Sequence, residues 1–169
     1  RYWRDWSSDV CSSDLMPPAA ALEHLAESLA ALGGRAAAHG QVLLYEPLNR
    51  YETNLFNRQA EAAEFLRSRG VANVKLLCDL FHMNIEEADL AAALVACDDL
   101  VGHVHWADSN RRAVGFGHTP IPPVIAALES IGYRGHLSAE IFPFPTPFAA
   151  ARQSITSFQT FTNPTHASH

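Results

Sequence analysis

Four short apolar runs in this chain each end on a residue that can carry charge or bind a metal. They occupy residues 41–46, 74–79, 100–105 and 136–140 and close on Glu46, Asp79, His105 and Glu140, spaced 33, 26 and 35 positions apart. A run of about 4–8 apolar residues bounded by turn residues reads as a buried strand. Around these runs the periodicity turns helical. Leu22, Leu25, Leu29 and Leu32 recur at three- and four-residue steps, which predicts an amphipathic helix over 19–39, disturbed at Gly33-Gly34. Further helices are predicted over 57–69, 86–96, 122–130 and 147–161, with Gly70 and Gly132 as stops and prolines opening the helix at 122.

Strands alternating with helices of this length imply βαβ units and a parallel α/β sheet. Four such units use about half of the ~250 residues that a complete (β/α)₈ TIM barrel needs. The chain is therefore expected to be half a barrel. A flavodoxin-like open sheet is the alternative, although no Gly-rich phosphate turn follows any strand. In a barrel the C-terminal strand ends gather on one face, where active sites sit.

Three carboxylates and one imidazole would meet at that face. One carboxylate at a strand end is usually a helix cap or a loop residue; four ionisable residues in four successive units are harder to assign that way. Carboxylates so close repel one another unless a cation neutralises them. Oxygen-rich ligation with a single imidazole suits Mn²⁺ first, with Mg²⁺ or Co²⁺ as alternatives, better than a structural zinc.

Three segments carry a resemblance: Glu46-Pro-Leu-Asn-Arg-Tyr-Glu52, Asp79-Leu-Phe-His-Met-Asn-Ile-Glu-Glu87 and His103-Val-His-Trp-Ala-Asp-Ser-Asn-Arg111. They resemble the xylose isomerase-like TIM barrel superfamily, and within it the sugar phosphate isomerase/epimerase group that includes D-tagatose and D-psicose 3-epimerases. The resemblance runs from about residue 20 to 160 and implies the C-terminal half of such a barrel, its last four βα units. It implies that Glu46, Asp79, His105 and Glu140 hold a divalent metal and that Glu46 and Glu140 also exchange protons with substrate. Glu52, His82 and Arg111 match substrate-contacting positions. The implied activity is isomerisation or epimerisation of a ketose or related hydroxy-ketone through a metal-stabilised enediolate, with a small sugar as partner and a possible homo-oligomer as assembly. Dehydration of a cyclic polyol ketone, as in inosose dehydratase relatives, is the alternative on the same fold. An inactive fragment of a longer enzyme is the other.

Several flanking residues carry weaker readings. His103 faces the same way as His105 and is expected to pack below the ligand layer. His118 lies in a glycine-rich loop and is expected at the surface. Trp106 could line the pocket or plug the barrel end. Asp108 could orient Arg111 or cap a turn with Ser109. Asp98-Asp99 reads as a solvated pair, and Cys78 as small core filler.

Residues 1–15, with their repeated Ser-Ser-Asp and no hydrophobic period, are expected to be a non-native adapter-like segment, and they lack the apolar core of a signal peptide. Residues 16–161 form the expected partial barrel, and 162–169 a disordered tail. Setting the first fifteen aside removes two arginines and three aspartates and moves the net charge from −6 to −5. That balance disfavours broad nucleic-acid binding and AP endonuclease chemistry, which call for clustered Lys and Arg. No apolar run reaches the ~18 residues of a membrane span. Outside the first fifteen residues the only cysteines are Cys78 and Cys97, which suggests no disulfide framework and a cytoplasmic location.

Overall fold

The computed structural model describes residues 16–162, so the expectations for 1–15 and for the tail from 163 onward lie outside the described residues. Helix α1 spans Pro18–Ala37 and leads into strand β1, Leu43–Tyr45. Helix α2 follows at Gln59–Ser68 and strand β2 at Val74–Asp79. Two helices then come in succession, α3 at Leu80–Glu86 and α4 at Leu90–Cys97, before strand β3 at Val101–His105. Helix α5 is Ile121–Ser130, strand β4 is Leu137–Ser138, and helix α6 is Pro147–Thr162. Thr162, expected in the tail, is the last residue of α6.

The four strands form one parallel sheet in the order β1-β2-β3-β4. Sequential order is what consecutive barrel units produce, and a flavodoxin-like sheet would reverse direction near its first strand. The open-sheet alternative is thereby excluded. β2 and β3 do not pair evenly. Leu76 stands opposite Val101, yet Leu77 stands opposite His103, so Gly102 is one extra residue on β3. A side chain on Gly102 would come within 2.6 Å of Lys75 Cβ and 2.7 Å of Leu44 Cδ2, and glycine leaves that space clear. The slip brings Asp79 and His105 directly opposite one another.

The core lies between the sheet and its helices. Val74, Leu76, Cys78, Val101 and Val104 project into it from the strands. Leu29 of α1, Ala62, Ala63 and Leu66 of α2, Leu94 of α4, and Val124 and Leu128 of α5 close over them. Cys78 is core filler as expected, fully buried against Gln59. The opposite face of the sheet is less covered: Leu77 and His103 are half-buried and Leu44 is exposed. A cavity of about 730 Å³ opens there at the N-terminal strand ends, beside Leu44, Lys75 and Gly102.

Two expectations are corrected. The region 86–96 is not one helix: Asp79 accepts the Phe81 N–H at 2.8 Å and starts α3 directly off the strand, so Glu86 closes α3. Asp89 then caps α4 through the Ala92 N–H. Nor does Gly33-Gly34 disturb α1, which runs through both. Gly33 is there for contact, because a Cβ would meet Ala72 O at 2.7 Å and Val74 Cγ2 at 2.9 Å. Gly34 faces open space.

The two adjacent glycines should therefore respond oppositely to alanine. Gly34→Ala is expected to stabilise by about 1 kcal/mol through helix propensity. Gly33→Ala is expected to destabilise by about 1–3 kcal/mol through overpacking against backbone. Urea denaturation of the two variants checks this, and equal shifts would contradict it.

Candidate metal centre

The strand ends deliver the predicted set to one place. Glu46 follows β1, Asp79 and His105 end β2 and β3, and Glu140 lies two residues past β4. One ligand atom from each lies within 4.8 Å of all the others. A cation that binds oxygens at about 2.0–2.6 Å draws its ligands to about that mutual spacing. His105 Nδ1 is the hub, 2.9 Å from Glu140 Oε2, 3.2 Å from Asp79 Oδ2 and 3.8 Å from Glu46 Oε1.

The charges explain what this arrangement demands. The hydrogen bond to Asp79, with the Asp79, Glu46 and Glu140 charges, raises the His105 pKa above its ordinary 6.5. Burial, together with the charges of Asp79 and Glu140, pushes Glu46 up to about 7. Glu46 Oε1 is buried and has no hydrogen-bond partner. A buried polar atom left without a partner costs of order 1–3 kcal/mol, more when charged. An orphaned carboxylate oxygen facing two more carboxylates and an imidazole fits a divalent cation.

The substrate-contacting candidates surround this cluster. His82 is 1 % exposed, and its Nε2 lies 3.9 Å from Glu46 Oε1 and 4.0 Å from Asp79 Oδ2. Burial holds its pKa below the usual value. The Arg111 guanidinium donates to Glu140 Oε1 at 3.1 Å and lies 3.8 Å from Glu52 Oε1. It also lies 5.0 Å from the Phe81 ring centre and 6.0 Å from that of Phe142. Contact with aromatic rings positions the planar guanidinium and keeps it partly dry. Arg111 adopts a left-handed φ of 56°, a conformation costing of order 1 kcal/mol in a non-glycine residue.

Asp108 brackets that turn through its backbone, accepting the Arg111 N–H at 2.8 Å and donating to Arg112 O at 2.9 Å. Its buried carboxylate accepts backbone N–H groups from Ser109, Gly115, Gly117 and Thr119. Burial alone would raise its pKa, but these four donors hold it below the carboxylate range. Asp108 thus organises the whole 108–119 loop, and no side-chain contact joins it to Arg111. The Phe142 N–H donates to Arg111 O at 2.7 Å and ties this loop to the segment after β4.

A second pair of acids fastens the loop after β1. Glu86 accepts from the Arg50 backbone and guanidinium at 2.6–3.2 Å, and Glu87 accepts the Gln59 N–H at 2.7 Å. The Arg50 hydrogen bonds hold the Glu86 pKa low. Within that loop Asn49 is buried and touches both His82 and Glu52. Sequence reasoning missed Asn49, the Glu86–Glu87 pair and the aromatic contacts of Arg111. Their only local trace was that Asn49, Phe81, Glu86 and Glu87 fall inside the segments carrying the resemblance.

The weaker candidates lie elsewhere. Trp106 is core, 2 % exposed, its indole N–H donating to Ser157 Oγ. His103 sits one step below His105, half-buried, with Nε2 2.7 Å from Ser138 Oγ. His118 is exposed, and so are Asp98 and Asp99.

The xylose isomerase-like TIM barrel family matches residues 7–161, and the chain belongs to that family. The match begins inside the segment set aside as adapter-like. Among curated relatives, the L-ribulose 3-epimerase of Methylomonas sp. (strain DH-1) is 38% identical over 135 residues, 78% of this chain and 47% of its own length. The 3-dehydro-D-guloside 4-epimerase of Escherichia coli (strain K12) is 37% identical over 116 residues, 69% of this chain and 44% of its own. Among solved structures, a D-psicose 3-epimerase crystallised in the presence of D-fructose superposes with a TM-score of 0.83 at 29% identity, covering 92% of this chain and 61% of that one. The chain spans about half the length of the curated relatives it matches.

Titration of the cluster gives a test of the metal fit. Glu46 has a folded pKa of about 7 against an ordinary 4.5, so it exerts no penalty below pH 4.5, and its contribution to stability is lost as pH rises through about 7. His105, raised above 6.5, favours folding below that value and loses its contribution as pH rises further. In EDTA the thermal midpoint of the chain is therefore expected to fall from about pH 5 to about pH 8, and Glu46→Gln should flatten that fall. Added Mn²⁺ should restore the midpoint at pH 8 and release protons on binding, measurable by calorimetry in buffers of different ionisation enthalpy. No midpoint shift with any divalent cation would contradict the fit.

Proposed function

We propose that this chain carries the metal-binding and proton-transfer part of an epimerase acting at a hydroxyl-bearing carbon next to a ketone. The supporting observation is the convergence of Glu46, Asp79, His105 and Glu140, with Glu46 and Glu140 at its two outer positions. The two curated relatives named above agree chemically. A ketose 3-epimerase and a 3-keto-sugar 4-epimerase both invert a carbon adjacent to a carbonyl.

Epimerisation removes a proton from one face of that carbon and returns one to the other, which calls for two groups. Glu46 and Glu140 come from the outer strands β1 and β4 and flank the inner pair Asp79 and His105. A substrate seated over the inner pair would have one carboxylate on either side, and reversing their roles runs the reaction backward. As the proton leaves, negative charge grows on the substrate oxygens. The Arg111 guanidinium, dried by two aromatic rings, supplies charge-assisted hydrogen bonds there. Glu52 accepts from a sugar hydroxyl, and His82 donates to another oxygen. Glu46, Asp79, His105 and Glu140 would hold a divalent cation, Mn²⁺ by preference, whose chemistry when bound is Lewis-acid polarisation of the substrate.

The substrate is a small sugar. Among the described residues no helix is long and apolar enough to cross a membrane, and the acidic balance disfavours broad binding to a nucleic-acid backbone.

The test is turnover of a panel of ketopentoses, ketohexoses and keto-glycosides with Mn²⁺, on the chain as it stands and on the chain extended in its reading frame to the length of its relatives. Formation of an isomer of equal mass, with hydrogen exchange from solvent at the inverted carbon, is the expected result. Glu46→Gln and Glu140→Gln are each expected to lower kcat by about 10²–10⁴. A dehydrated product, or no turnover across the panel by the extended chain, would overturn the reading.

A further inference from the structure

Asn49 is 2 % exposed on the loop after β1, and the proton-transfer scheme does not use it. Its side-chain amide nitrogen lies 2.7 Å from His82 Nδ1 and 2.9 Å from Glu52 Oε1. Its side-chain oxygen accepts the Tyr51 backbone N–H at 2.9 Å. That last contact decides which way the amide faces, because a backbone N–H can only donate. The amide nitrogen therefore faces His82 and Glu52 and spends one hydrogen on each.

The backbone N–H of Asn49 also donates to His82 Nδ1, at 3.3 Å. Two donors with no accepting capacity thus converge on one ring nitrogen. A proton on Nδ1 would oppose both, so Nδ1 carries a lone pair and the ring proton sits on Nε2. Nε2 is the atom that borders Glu46 and Asp79.

We propose that Asn49 is a positioning residue that locks His82 as the neutral Nε2–H tautomer and so aims a hydrogen-bond donor at a substrate oxygen beside the four-residue cluster. The donor role rests on the sugar-epimerase reading; the tautomer does not. A neutral donor meets developing charge without surrendering its own proton, which keeps proton exchange on Glu46 and Glu140. The same amide holds Glu52 at a set distance, its Oε1 3.8 Å from His82 Nδ1. One side chain thereby orients two substrate-facing groups. Aspartate at this position would turn both contacts around. It would repel Glu52, and it would draw a proton onto Nδ1.

The experiment is nitrogen-15 NMR of the histidine rings in the full chain at neutral pH, with and without Mg²⁺, which is diamagnetic. His82 is expected to show its single ring proton on Nε2, and Nδ1 is expected to show scalar coupling to the Asn49 backbone nitrogen across the hydrogen bond. Asn49→Asp should move the proton to Nδ1 or leave the ring doubly protonated. Asn49→Ala, which keeps the backbone donor and loses the other, should let both tautomers appear. Should either variant fail to fold, the unsubstituted chain still decides: a proton on its Nδ1, or an imidazolium, overturns the proposal. A folded Asn49→Asp variant with an unchanged His82 spectrum overturns it too. In the turnover assay of the extended chain, Asn49→Asp is expected to lower kcat about a hundredfold to a thousandfold, on the scale of losing one aimed donor. An Nε2–H ring in a chain extended to barrel length that turns over no sugar would sink the epimerase reading and leave the tautomer assignment standing.

Discussion

The pairing of β2 with β3 slips by one residue at Gly102, and the site depends on that slip. In even register Asp79 would face Val104, and His105 would stand beyond the strand's partner. With Gly102 inserted, Asp79 and His105 become direct neighbours, and Nδ1 comes within 3.2 Å of Oδ2. Side chains opposite one another on parallel strands share a face, so the slip also sets which side of the sheet the imidazole joins. The cost of the irregularity is kept small because glycine adds no side chain where Lys75 and Leu44 already press.

Around that pair the electrostatics are unfavourable unless positive charge is supplied. Three carboxylates share the space about one imidazole nitrogen, and burial together with the Asp79 and Glu140 charges pushes the Glu46 pKa up to about 7. Arg111 partly offsets the repulsion from one side through Glu140. The loops that carry these groups are held by other carboxylates used as acceptors for backbone N–H groups. Asp108 gathers four of them, Glu86 takes one from the loop after β1 and Glu87 one from the first residue of α2, while Asp79 of the cluster itself also caps α3. Carboxylates therefore do two jobs here. Those supplied with donors shape the backbone, and the one left without a partner marks where a cation fits.

The two faces of the sheet differ in a way that suits its length relative to its relatives. On the helix side Leu66, Leu76, Leu94 and Val104 are close to fully buried. On the other side the described strands carry half-buried and exposed groups below the four-residue cluster, as the inner wall of a barrel does where no facing strand covers it. The helical layer also has an uncovered margin at α6, where Phe148 is 77 % and Ile155 is 60 % exposed.

The residues themselves made much of this legible. Alternation of strand and helix periods placed every strand to within a few residues, and the strand-end positions of Glu46, Asp79, His105 and Glu140 named the cluster that the structure brings together. Periodicity is a local property, and it served for what local forces decide. It did not serve where a longer-range contact decided. Helix α3 is a local exception, begun off β2 by a cap from Asp79 two residues away, while α1 runs on through Gly33 with Ala72 and Val74 packed against it. The strand slip, the amide gathering by Asp108 and the two donors that Asn49 turns on His82 join segments up to 33 residues apart. The sequence by itself determined which chemical groups stand at the strand ends. The tertiary structure decided their register, their protonation and their orienting partners, because those follow from close packing and charge between segments that no local pattern connects.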